Sequence, residues 1–471
     1  KDATRFNDGY ENALPPSLTS LPSSLFSGCT SLKSMDLSNV KTVAGSLFKG
    51  CSALESVVLS TDLEVLGDYM FQNCTSLSSI EIPSSVTSLG KYAFDGCTKL
   101  TSIDLPETLT FMGTYTFRKT GLTSIVIPSG VKSFGTSATE CAASSNVYLF
   151  AECKSLTTVV LPANINDFKI GGYVFNNCTK LTTIKVGADG EENVLDGVTL
   201  VAQYAFSGCG ITELSLPDVT EVGKYSFSKG DLQSISLPAL TKHAEYVFSD
   251  SKKLTSVTLN DELESLAKYM FNGCTALEQI TLPSSLVFLN TYTFKGSGLK
   301  EIVIPEGVKH IGSSQNGAAN VSTPINTFEN CASLVKVTLP AGLETIGREV
   351  FKNCSNLTIV TYTGGAEYAL PASTRLVGYY AFQGCKSLTA LEMKGVETLG
   401  INVFDGCSSL TSVDLSSLST MGENVFEDCG KLLSVVLNKY LSVISEEAFL
   451  NCTSLEAIEL PEALTTISAN A

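Results

Sequence analysis

A pattern of about 23 residues, repeated along the length of the chain, constrains this sequence more than any other feature. Leu77–Cys97 reads LSSIEIPSSVTSLGKYAFDGC and Leu254–Cys274 reads LTSVTLNDELESLAKYMFNGC. Anchored on its phenylalanine, the unit recurs eighteen times, at Phe26, 48, 71, 94, 117, 150, 175, 206, 227, 248, 271, 294, 328, 351, 382, 404, 426 and 449. Most steps are 21 to 23 residues, with a few of 25, 31, 33 and 34. A fixed period of this size marks an array of stacked units rather than a set of unrelated globules.

The letters of one unit say how it folds. In Leu100-Thr-Ser-Ile-Asp-Leu-Pro106, Ile103 and Leu105 alternate with Ser102 and Asp104, the period-two pattern of a short strand with one buried face. Pro106 has no N–H to give and ends the pairing. Leu109 and Met112 form a second apolar pair, Gly113 permits a tight turn, and Phe117 fills the interior. A unit this small cannot bury its own apolar face. Stacked on a copy, its strands pair in parallel and the core becomes continuous. The expected fold is an α/β-type repeat solenoid: short parallel strands, about 18 stacked repeats, few or no regular helices, and residues 1–471 as a single array. At ~4.8 Å per strand such an array would run roughly 85 Å.

The long steps repeat as well. Thr114–Gly135 reads TYTFRKTGLTSIVIPSGVKSFG and Thr291–Gly312 reads TYTFKGSGLKEIVIPEGVKHIG, an offset of 177 residues. A block of about seven repeats is duplicated, insertions included. The insertions are 136–148 with 313–327 and 187–199 with 363–375; their Gly, Ser, Asn and Ala content predicts surface loops. The last residues, Leu464–Ala471, stop where the next phenylalanine falls due. The expectation there is a chain that continues, or an open end that meets a partner.

The unit L-x-x-I-x-L-P…I-G-x-x-A-F-x-x-C, as in Leu77–Cys97, Leu334–Cys354 and Leu455–Ile467, resembles the BspA-like (Treponema-type) leucine-rich repeat from about Leu14 onward. The resemblance implies a secreted or surface-displayed protein of a bacterium or protist, one that adheres to host or neighbouring-cell proteins. It brings no catalytic set with it.

Composition narrows the function classes. Lys and Arg number 31 against 47 Asp and Glu, a net charge of −16. That balance argues against wrapping nucleic acid and against docking on anionic membranes. No run of about 18 apolar residues is present to span a bilayer. Lys1 opens no leader peptide, so a mature chain or an excised segment is expected. With only His243 and His310, and no phosphate-loop, zinc-protease or nucleophile-elbow motif, neither enzyme activity nor a cofactor is expected. The acidic loop Ala188–Asp196 lacks the spacing of a calcium loop.

Fourteen of the fifteen cysteines lie three residues after the phenylalanine, where Thr120, Gly230, Ser251 and Ser297 stand in other copies. A position open to Cys, Ser, Thr and Gly wants a small side chain, which predicts a buried column of thiols that pack and weakly hydrogen-bond. Parallel Cβ vectors disfavour disulfides. Cys141, off the column in an insertion, is the expected exposed or bridging thiol.

Two surface columns remain. Outward strand positions, Ser215, Ser236, Thr258 and Thr281 among them, form a hydroxyl-rich face. They suit a protein or glycan, or they are simply good strand formers. Two residues before the phenylalanine, tyrosine holds ten consecutive copies, including Tyr173, Tyr204, Tyr225, Tyr246, Tyr269 and Tyr292. Ser24, Asn326, Asn402 and Glu447 stand there in other copies, and that polar tolerance predicts partial exposure. The rings form an interface stripe, or each covers its neighbour's backbone. Asn320, in an insertion, is the candidate glycosylation site. The sequence thus predicts a non-enzymatic extracellular adhesion or binding scaffold for a host, neighbouring-cell or matrix protein or glycan. The alternative is a homo-oligomer, filament or surface coat.

Overall fold

A computed structural model describes residues 14–137, 140–163, 165–312 and 326–471. Its contacts divide the chain into two compact units, Lys1–Ala244 and Glu245–Ala471. Each is a parallel β-solenoid, and among the described residues every regular element is a strand. The expected scarcity of helices is met, and the α/β label is nominal.

Most coils share one plan. A strand of three or four residues, such as Ser56–Val58 or Thr158–Leu161, forms the first side. A shorter strand, such as Val65–Leu66 or Ser88–Leu89, forms the second. The third side is a run of turns carrying Tyr, Phe and Cys, and alternate amides along it bond to the next coil: Tyr69 N–H to Lys91 O (2.7 Å), Phe71 to Ala93 (2.8 Å) and Asn73 to Asp95 (2.8 Å). The register joins equivalent residues. In the first unit Ser34 pairs with Ser56 and Thr158 with Thr183; in the second Ile311 pairs with Ile346 and Val377 with Leu399. Like stacks on like, as the repeat demands.

The interior follows. Strand residues Ile125, Val159, Ile184 and Val337 face inward, as does Ile103, which lies in no strand, and the phenylalanines form ladders through each unit. Phe71, Phe94 and Phe117 are fully buried, with successive ring centroids 5.4 and 5.6 Å apart. In the second unit Phe328, Phe351 and Phe382 repeat this at 5.5 and 5.3 Å.

One expectation is extended and one corrected. Gly113 leads into a turn, as expected, with a φ that is not positive. It is glycine because the coils touch there: a Cβ would lie 2.6 Å from the backbone nitrogen of Lys91. The later insertions are also more than surface loops. Segment 187–199 returns Leu195 and Val198 to the core, and Leu195 N–H bonds to Ser215 O at 3.0 Å. Segment 363–375 does the same with Leu370, whose N–H reaches Glu392 O at 2.9 Å. The apolar residues at the far end of each insertion add a rung to the ladder instead of extending into water.

Candidate binding surfaces

The tyrosines line up as a ladder on the third side. In the first unit Tyr69, 92, 115, 148, 173, 204 and 225 stack with ring centroids 4.2 to 4.8 Å apart. In the second unit Tyr246, 269 and 292 stack at 4.3 and 4.5 Å. All are half-buried, as the polar substitutes predict. Burial, and then the next phenol along the row, pushes the hydroxyls of Tyr92, Tyr115 and Tyr148 above their ordinary pKa.

The backbone under this ladder has a property the sequence did not announce. Every one of these tyrosines has a positive φ, between 55 and 63°. That conformation costs a side-chain-bearing residue roughly 1–2 kcal/mol and favours Gly, Asn and Asp. The same position holds Ser24, Asn326, Asn402 and Asn424 in other coils, also at positive φ. The substitutes therefore report backbone conformation as much as exposure. Aromatic stacking, about 0.5–1.5 kcal/mol per pair, offsets the strain.

Charged side chains flank the rings from the position after the phenylalanine, a column that sequence reading passed over. Arg118 lies 5.0 Å over Tyr115 and donates to Asp95 through Nε (2.8 Å) and Nη2 (3.1 Å). Gln72 Nε2 adds a third bond to the same carboxylate at 2.9 Å. In the second unit Lys295 sits 5.2 Å over Tyr292 and pairs with Glu329 at 2.6 Å. Stacked coils set such pairs side by side, and the only sequence signal was opposite charge one period apart.

The hydroxyl column lies on the first side of the coil, not with the tyrosines. Ser215 and Ser236 pair in register in the first unit. Thr258 lies in strand Ser256–Leu259 of the second unit, and Thr281 lines a groove beside Glu301–Val303. The coil thus presents a hydroxyl face and a phenol ladder as two separate surfaces. Asn320 lies outside the described residues. The Ala188–Asp196 loop is held by Asn193, which accepts from Ile184 N–H (2.8 Å) and donates to Thr182 O (2.9 Å). No cluster suited to a metal ion occurs among the described residues.

The thiol column is as expected. Cys74, Cys97, Cys354 and Cys407 are buried, and each donates S–H to the phenylalanine carbonyl of the preceding coil at 3.1–3.2 Å. No disulfide forms. Burial pushes Cys74 up to about 12. Cys141 departs from expectation: it is half-buried beneath its insertion, pushed up to about 11, and the exposed thiol is Cys29. A thiol reagent applied to the native protein should therefore modify Cys29 fastest, half-buried Cys141 and Cys452 more slowly, and the buried column only on unfolding, because the thiolate is the nucleophile and burial suppresses it. Labelling followed by peptide mapping checks this; rapid modification of Cys74 or Cys354 would contradict the geometry.

Parallel coils, an apolar strand ladder and a phenylalanine column define a leucine-rich-repeat solenoid. Within that class the chain belongs to the BspA type: the family model for the BspA type leucine rich repeat region matches residues 19–143, 143–192, 199–317, 322–369 and 366–471. Comparison with curated proteins found no match. Among solved structures the chain is similar to a leucine-rich repeat protein from Bacteroides ovatus, at 22% identity over 92% of this chain and 86% of that one, TM-score 0.43. It is also similar to a leucine rich cell surface protein from Faecalibacterium prausnitzii, at 18% identity over 75% and 87%, TM-score 0.37. A third is the T. pallidum leucine rich repeat protein, at 23% identity over 54% and 77%, TM-score 0.26.

Proposed function

We propose that this chain is a non-enzymatic extracellular binding scaffold, an adhesive array that holds a protein or glycan partner along an extended surface. The observation that carries the reading is the tyrosine ladder. The coil accepts Asn402 and Asn424 at the same positive-φ position. Folding alone therefore does not demand tyrosine, and strain kept in a row is a pointer to function. Tyrosine supplies apolar area and a hydroxyl at little entropic cost, the property that enriches it at interfaces. The repeat spacing continues from Phe227 to Phe248, which supports reading the sequence as one array.

Replacing Tyr173 and Tyr204 by Asn tests this with a residue the backbone already accepts. Each change should cost at most about 2 kcal/mol, because the strain relieved offsets much of the stacking lost on two sides. Circular dichroism should be unchanged, while capture of matrix proteins and glycans on arrays should fall about 10-fold or more, as for loss of a central interface cluster. Undiminished capture by a folded double variant would remove the ladder from the binding surface.

A further inference from the structure

We propose that the groove between Gln279–Leu282 and Glu301–Val303 takes up an extended, basic peptide segment of a partner protein as an added β-strand. This deepens the binding-scaffold reading and rests on it.

The groove is a place where the strand ladder of the first side opens. At its base Lys300 N–H still bonds to Glu278 O at 2.8 Å. Beyond that point no backbone hydrogen bond joins residues 279–282 to 301–303 among the described residues. On its other flank Glu301–Val303 pairs regularly with Lys336–Thr338, closed by Ile304 N–H to Thr338 O at 2.9 Å. On the second side the same coils stay joined, with Leu289 paired to Ile311. The coils are thus hinged on one side and parted on the other. The opening is about 530 Å³.

Parallel pairing fixes which groups face the opening. Lys300 O and Ile304 N–H both bond toward Lys336–Thr338. Alternate residues of a parallel strand turn their amides to opposite sides, so Glu301 and Val303 direct theirs into the groove. An unpaired strand edge of this kind is a template for another strand. The lining selects among candidates. Glu301 places a carboxylate there and no lining residue is cationic; Glu306 lines the rim, its Oε2 also accepting from Ala341 N–H at 2.9 Å, while neighbouring Lys300 is engaged with Glu278 at 2.8 Å. Val303, 61% exposed, and Ile280 offer apolar contact. Alternating basic and apolar side chains on an extended backbone match both features.

The probe is a fluorescein-labelled, end-capped Lys-Val-Lys-Val-Lys-Val peptide, titrated into the intact chain. Saturable binding is expected, with new hydrogen-exchange protection at the amides of residues 280–282 and of Glu301 and Val303. Methylating alternate peptide nitrogens, exchanging every lysine for glutamate, or making Glu301→Lys with Glu306→Lys should each weaken binding about 10-fold or more. Equal binding of the N-methylated peptide, or protection that falls elsewhere, overturns the proposal. So does protection of these amides that rises with protein concentration and no peptide, which would assign the groove to a second copy. Tyr173→Asn with Tyr204→Asn should leave peptide binding unchanged. Peptide failure with matrix or glycan capture retained therefore sinks this inference alone, and the reverse pattern sinks the ladder reading alone.

Discussion

Phe351→Ala should destabilise the second unit by about 3–5 kcal/mol, the usual cost of emptying a large buried aromatic site. Phe351 is fully buried, between Phe328 and Phe382 at 5.5 and 5.3 Å. Alanine removes two stacking contacts and leaves a void that the neighbours cannot close. Their backbones are pinned coil to coil, as by Phe351 N–H to Ala381 O at 2.8 Å. In a repeat array each coil rests on its neighbours, so the loss should be local before it is global. Hydrogen exchange should rise first in the flanking coils, and the denaturation midpoint should fall with it. Phe26 is a built-in control, being only half-buried and stacked on Phe48 at 5.7 Å. Its replacement by alanine should cost distinctly less. A Phe351→Ala protein as stable as the parent would mean that the phenylalanine column is not the core.

What was readable in advance was whatever repeats. The Phe, Leu/Ile and Cys columns recur with a strict period, so their burial follows from stacking alone, and the coordinates place them accordingly. What occurs once was not readable. Asp95 and Arg118 meet because their coils are adjacent, yet nothing in the consensus marks that position. The tyrosines show a subtler failure. Asn402 and Glu447 signal exposure at that position, and the rings are half-exposed, although Asn326 is buried there. The same substitutions also signalled a left-handed backbone, and that signal was hidden because tyrosine, not glycine, dominated the column. Gly113 answers a close approach between coils, which the sequence does not mark, as well as the turn that follows it.

Arg118→Met should cost about 3–5 kcal/mol, more than its partial exposure implies, because of the partner it abandons. The Asp95 side chain is 4% exposed, against 27% for Arg118. Losing the arginine leaves a buried carboxylate with Gln72 Nε2 as its remaining side-chain donor. The reverse change, Asp95→Asn, leaves a guanidinium that still reaches water and still stacks 5.0 Å over Tyr115, so it should cost less. The double variant Asp95→Asn with Arg118→Met removes the uncompensated charge and should recover a large part of the loss, a coupling of about 1–3 kcal/mol. Denaturant midpoints of the four proteins measure it. Additive single effects would show that Asp95 finds water in the solvated protein. A strong coupling would fix the Arg118 guanidinium as a clamp between the buried side of the coil and the phenol ladder, holding Tyr92 and Tyr115 in the stacked geometry on which the proposed binding surface depends.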